Sequence, residues 1–202
     1  MELVLAWQGP VGAGRFPDAE AAIEALGAPG VYLRIKTYRN GRTVSYVGQS
    51  RNVLARIDQH LTAMLALQTP LRDGAGRTIF AGDAGARFAA YNDLAAASRA
   101  AAEEALRTRF YVALCDAAFA PERLDLVEGT LKARLEERVA AGAGLAACEN
   151  VQGVPRDPFA DIARIVQDTG ALAAEDSEVV ARALGAEPIR VDAVLVGAGH
   201  AE

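Results

Sequence analysis

The sequence predicts an α/β protein built on a small antiparallel β-sheet flanked by α-helices, with further strands near both ends of the chain. Two strand-like segments, Val31–Thr37 and Thr43–Val47, surround Asn40-Gly41, the short-range signal that most strongly indicates a β-hairpin. The continuous apolar segment Phe110–Cys115 favours a central position in a sheet. Long segments with helical periodicity lie on either side of that strand.

Local signals justify the elements around the hairpin. Met1–Trp7 alternates like a short strand. Asp18–Leu26 has the spacing of a short helix that stops at Gly27, before a proline that blocks continuation. Ser50 is a plausible N-cap for a helix over Asn52–Leu67. That helix is expected to bury one apolar stripe: Val53, Ile57, Leu61 and Met64 or Leu65.

The same signals predict the second half of the chain. Pro70–Gly85, rich in glycine, aspartate and arginine, is a functional or mobile loop, and alanine-rich Phe88–Arg107 is a helix. A second long helix opens at Pro121 and ends at Gly142 and Gly144. Its apolar side comprises Leu124, Val127, Leu131, Leu135 and Val139. Further on we expect helices over Pro158–Asp168 and Asp176–Leu184 and a strand over Ile189–Val196.

Composition bounds the class of protein. The 202 residues are 51% hydrophobic and 23% charged, as in ordinary globular proteins. No apolar segment reaches the ~20 residues that a membrane span needs, and Met1–Trp7 lacks the basic flank of a signal peptide. The two cysteines, Cys115 and Cys148, provide neither a disulfide framework nor a metal set. We therefore expect a cytoplasmic protein with no membrane partner.

Three regions follow from these elements. Residues 1–29 form an N-terminal strand and helix extension, and residues 30–150 form the core, with an enlarged loop at 68–87. Residues 151–202 form an acidic C-terminal extension that is expected to pack on the core.

The distribution of charge is more informative than the net charge of −5. Residues 1–150 carry 17 acids and 17 bases, so the whole deficit lies beyond them. Within Gly30–His60 the one acid, Asp58, stands against six bases. A local patch of this kind attracts phosphate, although a solvated arginine-rich surface would look the same. The six bases are Arg34, Lys36, Arg39, Arg42, Arg51 and Arg56.

A set of ordered motifs resembles the GIY-YIG nuclease family. Gly30-Val31-Tyr32 and Tyr46-Val47-Gly48 stand on neighbouring predicted strands, with valine in place of isoleucine in each. Arg56 follows Tyr46 by ten residues, and His60 lies one helical turn later. The segment Leu126–Leu131 places Glu128 in the apolar-Glu-x-x-apolar signature, and Asn150 follows that helix. The spacing between the tyrosines and the loop at 68–87 are longer than is usual in the family.

This resemblance implies a DNA endonuclease that depends on Mg²⁺ or Mn²⁺ and hydrolyses phosphodiester bonds. It implies a metal on Glu128, one tyrosine assisting deprotonation of water, and Arg56 with His60 stabilising the phosphorane. The alternative is a catalytically silent module with the same fold. Specificity would come from the loop, a homodimer or a targeting partner. The implied catalytic residues are Tyr32, Tyr46, Arg56, His60 and Glu128, and the implied nucleic-acid contacts are Arg34, Lys36, Gly48, Arg51 and Asn150.

The residue types suit that chemistry without reference to any family. A carboxylate such as Glu128 holds Mg²⁺ largely through water, and the planar fork of Arg56 matches phosphate oxygens. A tyrosine base needs cationic neighbours, because its pKa is normally near 10. Ordinary roles remain open: strand aromatics for the tyrosines, and solvated helix positions for His60 and Glu128.

Hairpin register decides whether both tyrosines share one face. A two-residue turn at Asn40-Gly41 would pair Tyr46 with Ile35 and turn it towards the core. A three-residue loop over Arg39–Gly41, with Gly41 left-handed, would pair Tyr46 with Arg34 and Gly48 with Tyr32. We predict the three-residue loop.

Overall fold

A seven-stranded mixed β-sheet with helices on both faces organises the chain. The computed structural model describes residues 1–116, 119, 121–142, 147–148 and 162–191. The strands are β1 Glu2–Gly12, β2 Gly30–Thr37, β3 Thr43–Ser50, β4 Leu71–Arg72, β5 Thr78–Phe80, β6 Thr108–Leu114, β7 Ala147–Cys148, β8 Arg164–Asp168 and β9 Ile189–Arg190. The helices are α1 Glu20–Ala25, α2 Val53–Leu65, α3 Ala84–Ala90, α4 Leu94–Arg107, α5 Pro121–Ala140 and α6 Ala174–Leu184.

The main sheet has the strand order β7-β3-β2-β6-β1-β8-β9. The predicted α/β class is confirmed, and β6 takes the central position expected from its apolar sequence. The sheet is larger than predicted, because β1 pairs antiparallel with β6 and parallel with β8. Both terminal strands therefore extend the core sheet, but β8 lies between β1 and β9, so these two do not pair with each other. Of the predicted strand over Ile189–Val196, Ile189–Arg190 forms β9, and residues 192–196 lie outside the described residues. The predicted helix over Pro158–Asp168 is wrong at Arg164–Asp168, which forms β8, and Pro158–Asp161 lies outside the described residues.

Alternation along the strands separates two apolar layers. One layer holds Val31, Leu33 and Ile35 of β2 against α5 and α6. The opposite layer holds Tyr32 with Val53 and other residues of α2. Because consecutive residues of β2 serve different layers, Tyr32, Arg34 and Lys36 share the face that α2 approaches.

The hairpin loop has the predicted length. The Tyr38 N–H donates to the Arg42 carbonyl oxygen at 2.9 Å, which leaves three residues between them. Gly41 has φ +76°, the left-handed conformation that glycine adopts at little cost. Arg34 pairs with Tyr46 and Tyr32 with Gly48, so the predicted register is confirmed.

Several boundaries differ from the prediction. Asn52, rather than Ser50, caps α2, since its side-chain oxygen accepts from the Ala55 N–H at 2.8 Å. Met64 is buried, whereas Leu65 is exposed. The predicted loop over 68–87 contains the ribbon β4–β5 and the start of α3, and a 3₁₀ turn over Tyr91–Asp93 separates α3 from α4. In the described part of the chain, no helix is both long and apolar enough to cross a membrane.

Three of the five tyrosines have a raised pKa, mainly because burial disfavours the phenolate. Nearby acidic groups add to this: Tyr38 donates to Glu104 at 2.9 Å and Tyr111 to Asp176 at 2.7 Å. The pKa of Tyr32 is raised further by neighbouring Tyr46.

We predict alkaline destabilisation from these tyrosines. Their pKa is raised in the fold, so their contribution is present below the unfolded value near ~10 and is lost as pH rises above it. The urea midpoint should fall steeply between about pH 9 and 11, and phenolate absorbance should report Tyr32, Tyr38 and Tyr111 only as the protein unfolds. A folded protein that ionises all five tyrosines together near pH 10 would contradict this.

Candidate active site

Tyr32 on β2 and Tyr46 on β3 lie side by side on the sheet face that α2 covers. Their ring centroids are 6.0 Å apart, with 28° between the ring planes. Tyr32 is completely buried, whereas Tyr46 is partly exposed. The register thus holds one phenol in the core and leaves its neighbour within reach of solvent.

The missing side chain of Gly48 makes this arrangement possible. Gly48 lies opposite Tyr32 in the hairpin. A Cβ at this position would overlap the Tyr32 hydroxyl oxygen and would lie 2.8 Å from Cε1 of Tyr46. The glycine therefore provides the space into which the Tyr32 hydroxyl projects. Its role is structural at the centre of the site.

His60 connects Tyr32 to Arg34. Nε2 of His60 lies 2.8 Å from the Tyr32 hydroxyl, and Nδ1 lies 2.8 Å from Nη1 of Arg34. A guanidinium only donates, so Nδ1 must accept, which assigns the imidazole proton to Nε2. His60 is therefore neutral here and donates to the Tyr32 oxygen. Arg34 also lies over the Tyr46 ring, 4.7 Å from its centroid, as a cation–π contact.

Arg56 approaches the same hydroxyl from α2. Its Nε donates to the Tyr32 oxygen at 3.3 Å, and its Nη1 donates to Oε1 of Gln59 at 3.0 Å. Burial lowers the pKa of Arg56, but hydrogen bonds and charge interactions with Tyr32 and Tyr46 outweigh it and leave the pKa raised. A charged guanidinium thus bridges the two phenols.

These donors determine what the Tyr32 hydroxyl can do. The oxygen accepts from His60 and Arg56, so its own proton is directed onward. Burial, together with the charge interaction and hydrogen bond with Tyr46, keeps the pKa of Tyr32 well above its ordinary value despite Arg56. Tyr32 therefore stays protonated, with its hydroxyl between His60 and Tyr46. Tyr46 is the phenol that solvent can reach.

Glu128 reaches β3 from the opposite face of the sheet. It lies on α5, with Oε1 3.1 Å from Nζ of Lys132, and it accepts from the backbone N–H of Gln49. Burial raises the pKa of Glu128, as does Asp125, while Lys132 and the Gln49 N–H oppose the shift. Gln49 directly follows Gly48, so Glu128 contacts the same strand one residue from the tyrosine cluster. Glu128 contacts Lys132 and Asp125 of α5 and Gln49 of β3, and these contacts lie on the other face of the sheet from the phenols.

The carboxylates of α5 are the candidate metal ligands. Glu128 and Asp125 offer the oxygen donors that Mg²⁺ accepts, and Mg²⁺ commonly binds proteins through one or two carboxylates. Within the described residues, no group of three or more His, Cys, Asp or Glu side chains could hold a metal ion. A largely hydrated ion at Glu128 would have to share the carboxylate with the Lys132 ammonium, 3.1 Å away.

The bases of Gly30–His60 do not form one surface, contrary to the sequence expectation. Arg34 is 7% exposed and is held in the site by His60. Lys36 is 2% exposed, with Nζ 3.1 Å from Oε1 of buried Glu104, so it is not available for nucleic-acid contact as expected. Arg51 is exposed, and Asn150 lies outside the described residues.

Sequence reasoning missed several neighbours of the site. Phe110 on β6 supports both Tyr32 and His60, with centroid distances of 6.1 and 5.8 Å. Nothing in local spacing indicates that contact. The ion pair of Lys132 with Glu128 was detectable, because the two residues stand four apart on a predicted helix.

No family model, curated protein or solved structure matches the chain.

The space beside Gly48 gives a stability prediction. Gly48→Ala should destabilise the fold by about 1–3 kcal/mol, because the methyl group must displace the Tyr32 ring. Urea unfolding measures this. In a Tyr32→Leu background the same substitution should lower the free energy of unfolding much less, since the nearer of the two phenols that the methyl group meets is gone. An equal cost in both backgrounds would show that Tyr32 does not occupy this space.

Proposed function

We propose that the protein is an endonuclease that hydrolyses phosphodiester bonds in DNA with a divalent metal ion. One observation carries the proposal: two phenols, one buried and one partly exposed, share a charged guanidinium, and a neutral imidazole is hydrogen-bonded to the buried phenol. Phosphodiester hydrolysis needs a proton acceptor for water and a cation for the phosphate. The cluster supplies both within one site.

Each residue has a distinct role in this proposal. Tyr46 receives the proton of the attacking water, because it is the solvent-accessible phenol. Arg56 binds phosphate oxygens with the guanidinium edge that Tyr32 leaves free, and its fixed charge stabilises the phosphorane. Tyr32 and His60 hold Arg56 and Tyr46 in place, and Arg34 fixes the tautomer of His60. Tyr32 and His60 thus become positioning residues.

Glu128, with Asp125 one turn earlier, would hold the metal. Bound there, a divalent ion would supply charge neutralisation for the phosphate. Glu128 touches the β3 backbone at Gln49, beside Gly48, so the carboxylate and Tyr46 approach one strand from its two faces.

A specific contact favours the second candidate, a catalytically silent DNA-binding module. The Lys132 ammonium already neutralises Glu128 at 3.1 Å, with both side chains largely buried. If this ion pair persists in the presence of Mg²⁺, the carboxylate is a structural partner and not a metal ligand.

Cleavage of supercoiled plasmid separates the two candidates. We expect nicking with Mg²⁺ that EDTA abolishes. Glu128→Gln should slow it at least ~100-fold, because a lost metal ligand removes several kcal/mol of charge stabilisation. Glu136→Gln, an exposed change on the same helix, is the matched control and should cleave like the wild type.

Two outcomes would contradict the proposed nuclease site. A Glu128→Gln variant with wild-type cleavage would remove Glu128 from the site. A folded wild-type protein that binds DNA without cleaving it in Mg²⁺ or Mn²⁺ would establish the silent module.

A further inference from the structure

Two turns that are distant in sequence interlock at the end of the hairpin. The Arg39 N–H donates to the Gly74 carbonyl oxygen at 2.9 Å, and Nδ2 of Asn40 donates to the Ala75 carbonyl oxygen at 3.0 Å. Gly76, with φ +77°, packs so closely that a Cβ would lie 3.0 Å from Cδ of Arg42. The turn between β4 and β5 is therefore docked onto the β2–β3 loop.

This docking gathers three exposed arginines, which we name the turn patch: Arg39, Arg42 and Arg77. Arg77 is anchored by Asp73, with Nη2 2.7 Å from Oδ2, yet its side chain is 78% exposed. Within the part of the chain that the structure describes, neither Arg39 nor Arg42 forms an ion pair. The Asp73 carboxylate accepts from the backbone N–H groups of Ala75 and Arg77 as well as from the Arg77 side chain. The patch thus keeps a net positive charge.

The turn patch stands at a defined distance from the tyrosine cluster. A strand rises about 3.3 Å per residue, so the four residues from Arg42 to Tyr46 span about 13 Å. Successive phosphates along one DNA strand advance about 3.4 Å along the axis. A duplex with one phosphate at Tyr46 would therefore bring phosphates about four base pairs away level with the patch.

We propose that the turn patch is a second anchoring site for the phosphate backbone of duplex DNA. The proposal rests on the proposed function, because it takes the tyrosine cluster as the site of the scissile phosphate. It assigns the β4–β5 ribbon the task of holding Arg77 beside Arg39 and Arg42. Because contacts to phosphate carry no sequence information, such an anchor would strengthen binding without selecting a sequence.

Salt-dependent binding tests this proposal without any cleavage. A fluorescent 20-base-pair duplex is titrated in EDTA with the wild type and with the triple variant Arg39→Gln, Arg42→Gln, Arg77→Gln. Each lost phosphate contact lowers the slope of log K against log salt by about 0.9, so the loss of three contacts should reduce the slope by about 2.7. The matched control is Arg164→Gln, Arg182→Gln, Arg190→Gln, which removes the same charge from exposed positions on β8, α6 and β9. It should keep the wild-type slope.

A second triple variant, Arg39→Lys, Arg42→Lys, Arg77→Lys, keeps the positive charge and should keep most of the wild-type slope. Equal slopes for wild type, glutamine variant and control would overturn the turn patch. A patch-dependent slope on a matched RNA duplex but not on DNA would overturn DNA as the partner. If the glutamine variant loses slope but the wild type never cleaves DNA, the anchor is supported and the nuclease is refuted. If the wild type cleaves DNA but the glutamine variant keeps the wild-type slope, the nuclease is supported and the anchor is refuted.

Discussion

The hydroxyl of Tyr32 is the interaction on which the rest of the candidate site depends. Its oxygen accepts from His60 at 2.8 Å and from Arg56 at 3.3 Å, and it fits only because Gly48 has no side chain. A buried polar group with these partners is fixed in direction, since a lost bond would leave a donor or acceptor unpaired away from water. The positions of His60, Arg56 and Tyr46 all follow from it.

A buried ionic cluster anchors the same sheet face further along β2. Glu104 of α4 binds Lys36 at 3.1 Å and accepts from the Tyr38 hydroxyl at 2.9 Å, and Arg72 and Arg107 lie within 4 Å of its carboxylate. Such a cluster is costly to break from one side, because the remaining charges stay buried. It ties α4 and the β4–β5 ribbon to the hairpin. The strand that carries the phenols and the turn that carries the arginines are thereby held in one frame.

Features that depend on residues close together in sequence were predictable, whereas features that depend on contacts between distant residues were not. Local chemistry determined the hairpin loop: a glycine suited to left-handed φ fixes the register, and the register brings Tyr32 and Tyr46 together. Burial was not predictable for Lys36, because its partner Glu104 lies 68 residues away in sequence. The strand at Arg164–Asp168 was mistaken for a helix because its pairing with β1 spans most of the chain. The Arg34–His60 contact has the same long-range origin.

In the proposed mechanism the cluster keeps Tyr32 protonated as a positioning residue and presents Tyr46 as the proton acceptor. Single-turnover cleavage from about pH 6 to 10 tests it most directly. Below its pKa, a general base gives a rate that rises with pH. Tyr46→Phe should slow cleavage and flatten that rise, whereas Tyr32→Phe should slow cleavage and keep it. The converse result, a flat profile for Tyr32→Phe and an intact rise for Tyr46→Phe, would contradict the account.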